Sequence, residues 1–316
     1  MAELAFDLGQ TQTRLRLIDG AGARRETELD GFRYGADLFE TIVDRCRVAA
    51  ASFGQTTIHA VAGGLTGLYG IVPDLGPLLA ELRAVLDVER VVLADDAVTS
   101  HLGALAGEPG ALVAAGTGIV GLGIGPSGAA RIDGVGSLIG DEGSGWWIGR
   151  RGIIAALSAY DGRSGASSLL LEALEQHYGP AARVPATIAS SPFPVGLVAS
   201  FAPAVADAAR RGDRVAAAIW NEAARHIGDA VVAAGTRAGF DAASPFAWGV
   251  TGRLTLAADL LDPELDSLVQ SHFPAAVRHR PLGSGLDGAE RLLHYPEAES
   301  LAPLVGASVI QKDIDD

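Results

Sequence analysis

Sixteen residues, Gly136 to Arg151, constrain this chain most: Gly-Ser-Leu-Ile-Gly-Asp-Glu-Gly-Ser-Gly-Trp-Trp-Ile-Gly-Arg-Arg. Glycine permits positive φ and close backbone approach, at an entropic cost that must be recovered elsewhere. A stretch so irregular and so rich in acids is poor core material. It predicts either a loop wrapped around a polar ligand or a glycine-rich surface turn, with a helix starting near Trp146.

The rest of the chain favours the ligand loop. A length of 316 residues suggests about two domains, and 48% hydrophobic against 20% charged residues is ample for packed cores. The net charge of −14 comes with no long Lys/Arg run, so nucleic acid is not an expected partner. Acidity does not exclude an anionic substrate, because loops and metal ions bind phosphate locally. Cys46 is the only cysteine, which excludes an intrachain disulfide and a Cys-based zinc or iron–sulfur site within one chain. The N-terminus lacks the basic head and apolar stretch of a signal peptide, and no apolar run reaches membrane-spanning length. A cytoplasmic protein without a membrane partner is the expectation.

Leu4–Leu8 and Arg14–Leu17 read as strands joined by Gly9-Gln10-Thr11-Gln12-Thr13, a turn rich in hydroxyls and amides. A helix is predicted over Asp37–Ala51, a buried strand over Ile58–Ala62 running into Gly63-Gly64, and a helix over Leu78–Leu86. Val91–Leu93 reads as a strand ending at Asp95-Asp96, with a helix from Ala97. Ala111–Ala115, Gly116-Thr117-Gly118 and Ile119–Ile124 then repeat the opening order of strand, Gly/Thr turn and strand. Helices follow at Ile153–Tyr160, Ala166–His177, Val198–Arg210 and Asp213–Ala238, then a strand at Phe246–Val250. The cluster Gly283–Gly288 precedes a helix at Ala289, and the tail beyond Glu297 has no strong pattern. Strands alternating with helices imply a mostly parallel or mixed α/β sheet, whose ligands bind at glycine turns on strand ends.

Asp7, beside Gly9, Thr11 and Thr13, suits Mg²⁺ with a phosphate; it also suits a simple cap on the hairpin turn. Gly116-Thr117-Gly118 offers amides and a hydroxyl to phosphate oxygens, or is an ordinary tight hairpin. Two such turns at corresponding places suggest two jaws on one polyphosphate. Asp95-Asp96, at a strand end before a helix, offers a general base, and either acid also suits an N-cap. Asp96 is taken as the base and Asp95 as the cap. There is no P-loop, no dinucleotide fingerprint and no convincing serine elbow. His101 reads as a surface or core-edge residue.

The order Asp7-x-Gly9-x-Thr11, Gly64-Leu65-Thr66-Gly67, Asp95-Asp96-Ala97, Ala115-Gly116-Thr117-Gly118 and Gly140-Asp141-Glu142-Gly143-Ser144-Gly145-x-Trp147-Ile148-Gly149 resembles the BadF/BadG/BcrA/BcrD-type ATPase family. Within it, the chain looks most like the N-acetylglucosamine and bacterial glucosamine kinases. The resemblance implies an α/β fold of two actin-like (ribonuclease H-like) domains with a nucleotide cleft between them. It places an N-terminal domain at 1–106 and a C-terminal one at 107–316, with helical insertions and a last helix able to pack back on the first domain. By resemblance, Asp7 holds the Mg²⁺ shell and Gly9, Thr11 and Thr13 form the first phosphate loop. Gly116, Thr117 and Gly118 form the second, and Gly249, Thr251 and Gly252 the adenosine loop, with the Gly283–Gly288 cluster close by. Asp96 is the base toward the sugar 6-hydroxyl, and Thr66, Asp96, Asp141 and Glu142 meet the sugar. Relatives often dimerise, so a homodimer is a further implication.

Two positions depart from the family. The second phosphate loop usually continues with Ser, often followed by Asn, where this chain has Ile119 and Val120. The segment Gly31–Gly35 lacks the usual Asn. The sequence therefore points to ATP- and Mg²⁺-dependent phosphorylation of glucosamine or N-acetylglucosamine at the 6-hydroxyl. The alternatives are a non-catalytic sugar or nucleotide sensor, and an ATPase activator of a partner enzyme. One cysteine argues against the redox activators of this family, which share an iron–sulfur cluster between subunits.

Overall fold

A computed structural model describes residues 1–9, 12–32, 36–295 and 301–310. The described strands are β1 (Glu3–Leu8), β2 (Gln12–Ile18), β3 (Arg24–Asp30), β4 (Ala60–Leu65), β5 (Arg90–Asp95), β6 (Gly110–Ala115), β7 (Ile119–Gly125), β8 (Gly128–Asp133), β9 (Ala247–Thr251), β10 (Val277–Arg278) and β11 (Val305–Val309). They form a six-stranded sheet ordered β11-β5-β4-β1-β2-β3 and a five-stranded one ordered β10-β9-β6-β7-β8. Each sheet repeats one plan: three antiparallel strands in sequence, then a strand returning parallel to the first. The hairpin echo read from the sequence is thus part of a longer repeat.

The chain divides into two compact units, Met1–Pro109 with the segment from Pro281 onward, and Gly110–Arg280. In the first unit, Leu4, Phe6, Leu15, Val61 and Leu93 fill one core with Leu78 and Leu82 of the helix Gly76–Leu86. Cys46, on the helix Leu38–Ser52, is fully buried there, and burial pushes its thiol up to about 12. In the second unit, Val113, Ile148 and Phe201 share a core with Trp220 of the long helix Arg214–Arg237, whose buried residues also include Ile219, Ala223, Ile227 and Val231. Those residues recur every four positions, the spacing of one face of the helix predicted over Asp213–Ala238. Among the described residues no helix is long and apolar enough to cross a membrane.

Several elements differ from expectation. β4 runs through Gly63 and Gly64 instead of stopping before them. A Cβ at Gly63 would collide with the ring of Phe6 on the adjacent strand β1, and one at Gly64 with the Thr99 side chain of the helix Asp96–Ala104, so Gly63 makes room between strands and Gly64 between strand and helix. β3, RRETELD, is an edge strand whose outward charges hide its pattern. The helix Ala258–His272 was masked by the internal Pro263. The tail forms β11, antiparallel to β5. The predicted helix Val198–Arg210 is two, Pro194–Ala199 and Ala202–Arg210.

Candidate active site

In the first unit the end of β1 carries Asp7, directly across the hairpin from Arg14. Arg14 donates to Asp7 Oδ2 at 2.6 Å, and both side chains are partly exposed. The Gly9 amide donates to the Gln12 carbonyl and closes the turn; Thr11 lies outside the described residues. Thr13, expected in the first phosphate loop, is turned into the core. Its side chain is fully buried and its hydroxyl donates to the Asp30 carbonyl at 3.0 Å, which ties β2 to β3. Thr66 follows β4 half-buried, with its amide on the Leu8 carbonyl at 3.2 Å.

β5 delivers Asp95 and Asp96 directly into the helix Asp96–Ala104. Asp95 is 1% exposed; its Oδ1 accepts from the Ala97 amide at 3.1 Å and its Oδ2 from the Gly70 amide at 3.0 Å. It therefore caps the helix and ties down the loop after β4. Asp96, the first helical residue, is half-buried. His101, on the same helix, is fully buried, not at the surface.

The Gly283–Gly288 cluster packs within this unit. Cβ atoms at Gly103 and Gly288 would collide with the Ser284 and Thr99 carbonyls, so the helix Gly285–Leu292 lies closely against Asp96–Ala104. A Cβ at Gly285 would sit 3.1 Å from Asp7 Oδ2. Asp287 anchors that helix start: burial works against its charge, yet the Ser284 amide and hydroxyl and the Arg16 guanidinium pull its carboxyl down to about 2.

In the second unit Gly116-Thr117-Gly118 joins β6 to β7, with Thr117 exposed. The helix Gly145–Asp161 holds this turn through its first amides: Gly145 donates to the Gly116 carbonyl at 2.8 Å and Trp146 to the Thr117 carbonyl at 2.9 Å. Ser144 caps the helix. Asp141, 6% exposed, takes the Ile119 amide on Oδ1 at 2.9 Å, and a Cβ at Gly118 would lie 2.7 Å from that oxygen. Burial raises its carboxyl above the ordinary range against the pull of that amide, and Asp133 adds to the rise. The acidic glycine stretch is thus a clamp on the β6–β7 turn. Glu142 is exposed, 3.8 Å from His226 Nε2.

Gly249 is buried mid-strand in β9, where a Cβ would stand 3.0 Å from the His279 carbonyl. Thr251 ends β9 beside Ala114. Gly252, at φ 94°, passes so close to Ala115 that a Cβ would collide with its carbonyl. The chain beyond it lines a pocket of about 370 Å³ with Gly116, Thr117 and Gly145. Ala202, Ala206, Trp220, Leu254 and Leu256 give it apolar walls, and Arg210 and Arg253 are its cations.

Residues 7–276 match the model of the BadF/BadG/BcrA/BcrD ATPase family. The chain belongs to that family. No curated protein matches it. Among solved structures, a Chromobacterium violaceum protein provisionally named N-acetylglucosamine kinase is 26% identical at a TM-score of 0.69, covering 93% of this chain and 99% of its own. A Porphyromonas gingivalis protein of the same provisional name is 21% identical at 0.66, with the same coverage of 93% and 99%. A ROK family glucokinase from Streptomyces griseus, solved with glucose and AMPPNP, shares the fold at 19% identity and 0.56, again over 93% and 99%.

For a BadF-type ATPase the donor set around Asp7 fits Mg²⁺. The ion takes one or two carboxylates and leaves its other positions to water and substrate phosphates. Asp7 is one partly exposed carboxylate, and Gly285 leaves open the space that a Cβ would fill beside it. Among the described residues no group of three or more His, Cys, Asp or Glu could form a protein-only cage. The pocket walls at Pro203, Ala206, Arg210 and Leu256 escaped the sequence reading. Their one sequence signal was Gly252-Arg253 following a buried strand.

Proposed function

We propose that this protein is an ATP-dependent kinase that phosphorylates the 6-hydroxyl of an amino sugar, glucosamine or N-acetylglucosamine. The observation that carries the reading is the division of labour at Asp95-Asp96. Asp95 spends both carboxylate oxygens on backbone amides. That fixes the helix start and with it Asp96, which remains half-buried at the end of a strand. Family membership and the likeness to the Chromobacterium violaceum protein support the reading.

Asp96 accepts the proton of the 6-hydroxyl as that oxygen bonds to the γ-phosphorus. The bond from the γ-phosphorus to the bridging oxygen breaks, and ADP leaves with the electron pair. Amides of Gly116–Gly118 and the Thr117 hydroxyl stabilise charge on the phosphoryl oxygens, held in place beforehand by the Asp141 and Gly145 clamp. Asp7 would hold Mg²⁺, which supplies neutralisation of phosphate charge. Thr66 and Glu142 are assigned to sugar hydroxyls, as is the Asp141 oxygen not bonded to Ile119.

Asp96→Asn tests the assignment. Phosphoryl transfer to the sugar should fall about 10²–10⁴-fold, while ATP binding stays within a factor of about two. Unchanged transfer would remove Asp96 from the reaction. ATP binding without sugar phosphorylation in the unmutated protein would make it a sensor instead.

A further inference from the structure

The second unit holds another pocket, of about 270 Å³, lined by residues of the helices Ser168–Tyr178 and Ala202–Arg210. Ala173 and Ala204 give it small aliphatic walls, and Gln176, His177, Asp207 and Arg211 give it polar ones. No step of the phosphoryl transfer above uses any of them. Ala206 and Arg210 line the larger pocket, so the helix Ala202–Arg210 is a wall of both.

The charges in this second pocket do not neutralise one another. Asp207 and Arg211 stand four positions apart, a spacing at which acid and base can pair across one helical turn. Asp207 instead reaches Arg210, at 3.4 Å. Arg211 is exposed, and among the described residues it makes no ion pair. Its neighbour differs: Arg210 is held by Asp259 through two bonds of 2.9 and 2.7 Å. The His177 ring is fixed in place. The Ser200 hydroxyl donates to the Leu197 carbonyl at 2.7 Å, so at 2.9 Å it accepts from His177 Nε2. That leaves Nδ1 of the neutral ring as an acceptor. The Tyr178 and Phe201 rings pack edge-on against His177, with centroids 4.4 and 5.8 Å away.

We propose that this pocket is a second binding site, for a phosphorylated hexosamine, with Arg211 on the phosphate and Asp207, His177 and Gln176 on the amino and hydroxyl groups. The inference rests on the kinase reading above, which makes such a molecule the product. A free guanidinium beside a carboxylate, an imidazole and an amide matches one anion and several hydroxyls on a single small ligand. The volume of about 270 Å³ lies just below the range of about 300–1,000 Å³ usual for larger ligands, which favours a monosaccharide phosphate over a nucleotide. The site is distinct from the base Asp96 and from the Gly116–Gly118 turn.

Calorimetric titration of the full chain with glucosamine 6-phosphate and N-acetylglucosamine 6-phosphate, each in a saturating concentration of its parent sugar, tests the site. The parent sugar fills the acceptor position, so a sugar phosphate that still binds does so elsewhere. One of the two should still bind. Arg211→Ala should weaken that binding about tenfold or more, with partial recovery in Arg211→Lys. Inorganic phosphate should bind the native chain more weakly than the sugar phosphate. Asp207→Asn should weaken the sugar phosphate and not inorganic phosphate, because the carboxylate serves the sugar and repels the anion. Arg211 is exposed, so Arg211→Ala should melt with the unmutated protein and keep its initial rate of sugar phosphorylation. Binding abolished by the parent sugar, equal affinities in the native chain and Arg211→Ala, or inorganic phosphate bound as tightly as the sugar phosphate would overturn the proposal. So would an Arg211→Ala chain that melts early and phosphorylates slowly, which would make the residue structural. A native chain that phosphorylates neither sugar would overturn the kinase reading itself, whatever the result at Arg211.

Discussion

Asp141 stands where two demands conflict. Its carboxylate pins the Gly118–Ile119 turn, yet burial disfavours its charge and raises its pKa. A raised acid stabilises the fold below its unfolded value of 3.8, and that contribution is lost as pH rises through the folded value, so ionised Asp141 burdens the fold at neutral pH. Asp141→Asn keeps an acceptor for Ile119 and removes the charge, so its thermal midpoint at pH 7 should equal or exceed that of the native chain. A drop of several degrees would contradict this. Asp287 has the opposite sign. Its carboxyl is lowered from 3.8 to about 2, so its pairing with Arg16 and Ser284 stabilises above pH 3.8 and fades as pH falls toward 2. Chemical unfolding across pH 2–5 should show a slope that Asp287→Asn flattens. At this scale the sequence separated Asp95 from Asp96 because a strand-end acid before a helix suits a cap. It did not foresee the burial of Thr13, although the alternation that turns Leu15 and Leu17 inward turns Thr13 inward as well. It did not foresee the packing of Gly249 against the His279 carbonyl, because a glycine near a strand end looks the same whether it meets a ligand or a neighbouring backbone.

Among the elements, the helix Gly145–Asp161 explains the glycine-rich stretch from which the sequence analysis began. A Cβ at Gly145 would meet the Gly116 carbonyl at 2.8 Å, and one at Gly149 would collide with the Val198 carbonyl. Those glycines bring the helix onto the turn at one end and onto the helix Pro194–Ala199 further along. Gly149→Ala should therefore destabilise the chain by about 1–3 kcal/mol, read from denaturant midpoints at constant slope. A neutral result would show that the two helices separate freely. Strands buried on both faces, such as β4 and β5, were legible as apolar runs, and so was the long helix Arg214–Arg237. β3 and β11 were not, because edge strands carry polar residues that match exposed loops, and their pairing is decided by distant partners.

The whole molecule is one plan used twice, with strand orders 3-2-1-4-5 and 8-7-6-9-10, and β11 added to the first sheet. The sequence disclosed the repeat only through its two hairpins, since the matching strands share little but position. A nucleotide that binds the native state alone at a hundred times its Kd should stabilise the chain by about 2.7 kcal/mol, seen as an ATP-dependent rise in melting temperature. Adenosine should give a smaller rise at equal concentration. Coupled detection of ADP release across glucosamine, N-acetylglucosamine, glucose and N-acetylmannosamine tests the phosphotransfer assignment most directly. ADP should form only when an acceptor sugar is present, fastest with one of the two amino sugars named above, and each ADP should be matched by one sugar 6-phosphate. ADP formed at the same rate with no sugar would contradict it.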